Sequence, residues 1–129
     1  MREVMMCFGC GRDNKDGLQL KFFHSGELYY TDYVAGEKYQ GYPGILHGGI
    51  VSTILDEVMA NILHVQGLHP MTADLRVRFI QPVPVGQKIR YYSKVKTIRK
   101  RLCEVEGWVE LPDGQVAARA TAKMLITKG

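Results

Sequence analysis

The stretch "GYPGILHGGIVSTILDEVM", residues 41–59, decides the fold: a glycine-rich loop passes through a histidine and two further glycines into an apolar segment that carries Asp56 and Glu57. From Gly48 to about Val65, Ile50, Ile54, Val58 and Ile62 recur every four residues, with Val51, Leu55, Met59 and Leu63 in a parallel row. That pattern predicts a helix buried over most of its circumference. At about 100° per residue, Glu57 falls with Thr53, Asn61 and His64 in the polar arc and is expected in solvent or at an interface. Asp56 lies at the edge of that arc beside Ser52, Met59 and Leu63, and its neighbours one turn away, Ser52 and Ala60, are small. It is expected half enclosed, with open space above the carboxylate.

Outward from this helix the chain reads as strand. "LQLKFFH" (18–24) alternates apolar and polar residues as a half-buried strand does, and residues 27–35 continue as a second extended segment. The three glycines and one proline of "GEKYQGYPG" (36–44) speak against regular structure there. After Gly67 and Pro70 follow "MTADLRVRFIQPV", "QKIRYYSKVKTIRK", "RLCEVEGWVEL" and "QVAARATAKMLIT", the last two joined by the hairpin turn "PDG". Ala73, Leu75, Val77 and Phe79 are expected on one face of their strand. Val116, Ala118, Ala120, Ala122, Met124 and Ile126 share a face of theirs, whose alanines suit close packing of something bulky. One long apolar helix on five or six antiparallel strands makes an α+β class, as a single domain over 1–129.

Composition narrows the functions. No apolar run approaches the roughly 18 residues of a membrane span, and the N-terminus has no secretory pattern, so a cytoplasmic chain without a membrane partner is expected. A net charge of +4 is modest, and no helix carries a basic stripe interleaved with aromatics, which argues against nucleic acid. "RVRF" and "KVKTIRKR" are locally dense in Arg and Lys; as neighbouring strands they would form one phosphate-attracting region. Cys7, Cys10 and Cys103 are an odd set, unlike a disulfide framework. Cys7-Phe8-Gly9-Cys10 is a C-x-x-C, yet a zinc site needs two more ligands and only His24 is near in sequence. The plain reading is a turn with two packed thiols and no metal; the sharper one is a site completed by His24 or by another subunit. A redox role fits least, because the surrounding Gly11, Asn14 and Gly17 indicate turns rather than a strand leading to a helix.

A helix starting at His47-Gly48-Gly49 offers unpaired N–H groups that an oxygen can approach with no Cβ in the way. Such donors can hold a polarised carbonyl, and Asp56, little more than two turns on, could serve as general base or nucleophile at that carbonyl. The plainer account is a tight helix entrance and a solvated acidic pair.

His47-Gly48-Gly49, Asp56 nine residues after the histidine, and "TADLRVRFIQPVPVG" (72–86) together resemble the hotdog-fold acyl-CoA thioesterases of the phenylacetate-pathway and 4-hydroxybenzoyl-CoA thioesterase-like branch. "CFGCG", "GLQLKF" and "YQGYPGILHGG" are similar to the thioesterase-superfamily member 4 type. The resemblance implies a curved antiparallel sheet around one long central helix, and hydrolysis of an acyl-CoA to a carboxylic acid and free CoA without metal or organic cofactor. It further implies a homodimer, or a dimer of dimers, with active sites at the subunit interface. Carried over by motif position, Asp56 is the base or nucleophile and the Gly48 N–H the oxyanion donor beside Gly49. Thr72, reached from the partner subunit, positions water. Gln40 is the candidate for a loop amide that touches the thioester, and His47 either steadies the helix entrance or takes part in catalysis. Arg78, Arg99 and Lys100 are candidate contacts for the CoA phosphates, and Met59 for the acyl chain. A hydratase or dehydratase on the same fold, and a non-catalytic acyl-CoA-binding regulator, remain the alternatives.

Overall fold

The apolar rows do form a helix, α1 (Gly48–His64), in the computed structural model, which describes residues 6–127. Residues 1–5 and 128–129 of the expected domain lie outside the described residues. Six strands follow one another as β1 (Phe23–Ser25), β2 (Leu28–Val34), β3 (Pro70–Phe79), β4 (Lys88–Arg99), β5 (Leu102–Glu110) and β6 (Val116–Ile126). They pair in one antiparallel sheet of order β1-β2-β4-β5-β6-β3. No described helix is long and apolar enough to cross a membrane.

The helix buries Val51, Ile54, Leu55, Val58, Met59, Ile62 and Leu63 in one cluster with Tyr91, Val105, Val109, Ala118, Ala120, Ala122 and Met124 of the sheet. Ala118, Ala120, Ala122 and Met124 of β6 are buried on the face that their alternation predicted. Gly107 leaves room for the helix on β5: a Cβ there would lie 3.2 Å from Cγ and Sδ of Met59, so the absent side chain is the space the methionine fills. Ser93 resolves its own burial by donating its hydroxyl to the Val58 carbonyl at 2.6 Å, which ties β4 to the middle of the helix.

Three expectations change. Of "LQLKFFH" only Phe23–Ser25 is strand. Gln19 takes a φ of 54°, and Leu18 and Leu20 pair instead with the turn before them, their N–H groups donating to Phe8 and Gly9 carbonyls at 2.7 and 2.9 Å. The loop 36–44 contains a short 3-10 turn, Glu37–Tyr39. On β3 the alternation breaks: the register to β6 runs Thr72↔Met124, then Asp74↔Lys123, with Ala73 as an extra residue. This bulge puts Thr72, Leu75 and Val77 opposite the buried Met124, Ala122 and Ala120, while Ala73 is exposed and does not share the inner face as predicted.

Candidate active site

The helix entrance is built by His47. Its backbone is extended (φ −59°, ψ 134°), and its Nδ1 accepts the Gly49 N–H at 2.9 Å. Its carbonyl takes the N–H groups of Ile50 and Val51 at 2.9 and 3.1 Å. Three of the first four helical donors are thereby used, and among the described residues the Gly48 N–H has no acceptor. Gly49, named beside Gly48 as an oxyanion element, is spent on the cap. Gly48 borders a cleft of about 650 Å³ lined largely by apolar groups of Tyr42, Ile45, Val51, Phe79, Ile80 and Val83. Gln40 braces the loop, its Oε1 accepting the Gly44 N–H at 3.0 Å, and it lines a second cleft with Lys38, Tyr39, His47, Gly49 and Ile50.

Asp56 is half-buried, and Thr72 donates its hydroxyl to Asp56 Oδ1 at 2.7 Å. The β3 bulge makes this contact possible, since it turns Thr72 toward the helix. Thr72 therefore meets Asp56 within one chain, not from the partner subunit as expected. Oδ2 of Asp56 has no hydrogen-bond partner among the described residues. On a helix that rises about 1.5 Å per residue, Gly48 and Asp56 stand about 12 Å apart, and Asp56 does not line the cleft at Gly48. The two groups thus do not converge on one point of a single chain, contrary to the expected spacing.

Glu57 is neither solvated nor free. The turn Cys7–Cys10 lies over it: Cys7 Sγ is 3.4 Å from Glu57 Oε1, and the two sulfurs and the carboxylate lie within 4.8 Å of one another. Burial pushes the Glu57 carboxyl above its ordinary range. Burial, with the adjacent Glu57 charge second, pushes the Cys10 thiol up to about 12. His24, the predicted third ligand, is on β1 with its ring against Tyr29, and His64 and His69 border the cysteine cluster instead.

The predicted binding residues scatter. Met59 is fully buried against Gly107 and belongs to the core. β3 and β4 are separated by two strands, so "RVRF" and "KVKTIRKR" are not neighbours. Arg78 pairs with Arg119, whereas Arg99 and Lys100 lie at the opposite end, where Leu102 pairs with Leu125 and Leu125 with Met71. Seven residues of strand, about 23 Å, separate the two ends. Arg76, Arg78 and Arg119 instead line one groove, and Arg76 also lines a mixed one with Lys96, Lys123, Asp74 and Glu104, where long side chains of the two segments meet across the intervening strands. The pairing of β6 with β3, which recruits Arg119 and Lys123, is long-range and invisible to local charge density.

Comparison with known proteins agrees with this architecture. Residues 43–118 match the family model described as the thioesterase superfamily. The chain is 35% identical over 72 residues to acyl-coenzyme A thioesterase THEM4 of Bos taurus, covering 56% of this chain and 26% of that protein. It is 29% identical over 116 residues to MIOREX complex component 3 of Saccharomyces cerevisiae, covering 88% and 43%. The chain thus spans less than half the length of the curated relatives it matches. Its fold superposes on Streptococcus mutans smu.793, solved bound to acetyl CoA, with a TM-score of 0.77 at 17% identity, over 84% of this chain and 88% of that one. With the family match covering more than half of its residues and one helix on a six-stranded antiparallel sheet, the chain belongs to the thioesterase superfamily and has the hotdog fold.

Proposed function

We propose that the chain hydrolyses an acyl-CoA thioester, with Asp56 as the reacting carboxylate and the Gly48 N–H as oxyanion donor. The observation that carries this reading is Asp56 itself: a half-buried mid-helix carboxylate, one oxygen held by Thr72 at 2.7 Å and the other open. Burying a charge is unfavourable unless it is paired or used, and Thr72 supplies only one neutral donor. In the reaction Asp56 accepts a proton from water as its oxygen attacks the thioester carbon. The tetrahedral oxyanion is held by the Gly48 N–H, and the C–S bond then breaks to release the acid and the CoA thiolate, which takes up a proton. Asp56 attacking the carbon directly, with water cleaving the resulting anhydride, uses the same residues.

A donor and a nucleophile on one carbonyl must lie within about 6 Å of each other, and about 9 Å with an intervening water. The backbones of Gly48 and Asp56 stand about 12 Å apart along the helix and Asp56 does not line the cleft at Gly48, so within one chain they do not face a common carbonyl. Each site is therefore formed by two copies, Gly48 from one and Asp56 with Thr72 from the other. The ten-residue β3 is a sheet edge, and exposed Met71 and Phe79 lie along it, which supports pairing through that strand and a homodimer as the minimal unit. The likeness to the acyl-coenzyme A thioesterase THEM4 and to smu.793 with its bound acetyl CoA supports acyl-CoA as the substrate class, with Arg78 among the basic groups available to its phosphates. The lyase alternative is disfavoured because His47 Nδ1 accepts the Gly49 N–H, which leaves the neutral ring with its proton on Nε2 and no free basic nitrogen.

Free thiol release from short, medium, long and aromatic acyl-CoAs tests the reading. Asp56→Asn should lower turnover by at least about a hundredfold while leaving ligand affinity nearly intact. Unchanged turnover removes Asp56 from the mechanism, and no release from any substrate by folded, acyl-CoA-binding wild type favours a regulator.

A further inference from the structure

We propose that Cys7, Cys10 and Glu57 bind a zinc-class divalent cation, which fastens the N-terminal turn to α1 one residue from Asp56. The donor geometry comes first. All three ligand atoms lie within 4.8 Å of one another, and the Cys7 Sγ to Glu57 Oε1 distance is 3.4 Å. Tetrahedral zinc, with Zn–S about 2.3 Å and Zn–O about 2.0 Å, sets its sulfur and oxygen ligands about 3.5 Å apart. The Cys7–Glu57 pair already has the spacing of two ligands on one ion, and Cys10 Sγ lies close enough to join them with a small movement of its side chain.

The turn is shaped to bring both sulfurs onto that carboxylate. Gly11 N–H donates to the Cys7 carbonyl at 2.8 Å, closing the C-x-x-C. Gly9 between the cysteines is buried, and a methyl on it would run into the Glu57 side chain. Leu18 and Leu20 hold the same turn from the other side through Phe8 and Gly9.

The chemistry of the donors selects the metal. Two thiolates and one carboxylate favour zinc over magnesium or calcium, which prefer oxygen alone. His64 and His69 border the same pocket of about 260 Å³ but stand outside the three-ligand group, so the fourth position falls to water. No Lys or Arg is among the described residues lining it, so no permanently charged side chain there competes with a cation for the Glu57 carboxylate.

The test uses the full chain, reduced and without a histidine tag. Elemental analysis after incubation with zinc(II) should find about one zinc per chain. Replacement by cobalt(II) should give thiolate-to-cobalt charge-transfer absorption and intense tetrahedral visible bands. The Cys7→Ser/Cys10→Ser double variant should lose both signals, and Cys103→Ser and His24→Ala should keep them. Reduced, folded wild type that retains no zinc and shows no thiolate–cobalt band would overturn the proposal, as would undiminished binding by the double variant. A chain isolated with a Cys7–Cys10 disulfide that, once reduced, still binds neither metal would also overturn it. Since none of these readouts uses thioester hydrolysis, failure here leaves the thioesterase reading standing, and the converse also holds.

Discussion

If each active site draws Gly48 from one chain and Asp56 from another, two inactive variants should restore each other. The perturbations are Gly48→Pro and Asp56→Asn. Proline removes only the N–H, and the first helical position is where it is best accepted. The preceding His47, at φ −59° and ψ 134°, is already in the conformation favoured before proline. A Cβ at position 48 would sit 3.4 Å from the Phe79 ring, an ordinary contact. Each variant alone should lose about a hundredfold or more of turnover, one through its oxyanion donor and the other through its base. Co-expressed at equal levels, half of the dimers are mixed. In each mixed dimer one site carries both lesions and the other neither, so the pool should recover about a quarter of wild-type thiol release, and heterodimer isolated by two different tags about half. The calculation rests on the separation of about 12 Å along α1. Tag-purified heterodimer that stays as inactive as its parents would refute the shared site and with it the geometric argument.

Thr72→Val should lower turnover about 10- to 100-fold with little change in KM, since a hydrogen bond to a carboxylate is worth about 1.5–3 kcal/mol, and Thr72→Ser should restore most of it. Equal activity of the Val and Ser variants would show that the hydroxyl is not used. Gly107→Ala should destabilise the fold by about 1–3 kcal/mol, read as a lower Tm, because its methyl would meet the Tyr92 carbonyl at 3.0 Å and Met59 at 3.2 Å. An unchanged Tm would mean that Met59 does not pack there. His47→Ala should cost about 0.5–2 kcal/mol in chemical denaturation through loss of the cap, with a smaller fall in turnover than Asp56→Asn. Arg78→Ala should raise KM for acyl-CoA but not for an acyl-pantetheine lacking the nucleotide phosphates, while Arg99→Ala and Lys100→Ala leave both unchanged; a reversed pattern would move the phosphate contacts to the far hairpin.

What the sequence revealed depended on how local the determining contact is. The apolar rows of α1 and the alanine row of β6 carry their own period, and both elements appear where those periods put them. Alternation puts Ala73 on the inner face of β3, where the structure has Thr72 instead, because a one-residue bulge leaves no mark in composition. Met59 looked like a pocket residue until Gly107, nearly fifty positions away, provided its place in the core. Whether the two basic segments are neighbouring strands depends on strand order, which cannot be read from strand content, and the sheet puts two strands between them. Glu57 was misjudged for a related reason: the helical period identifies the face it occupies, but not that a turn fifty residues earlier covers that face.

The neighbouring carboxylates of α1 are thus separated by what lies over each. Successive helical residues project about 100° apart, so Asp56 can meet β3 while Glu57 meets the N-terminal turn. The arrangement also links their fates. A carboxylate oxygen stands about 6 Å from the helix axis, so turning the helix by about 20° shifts it by about 2 Å. That is enough to break a hydrogen bond of 2.7 Å between Thr72 and Asp56. Whatever fixes Glu57 against Cys7 and Cys10 resists that rotation. A helix clamped on two sides, by β3 at Asp56 and by the cysteine turn at Glu57, has one azimuth open to it, and that azimuth holds the Asp56 carboxylate beside its hydroxyl donor.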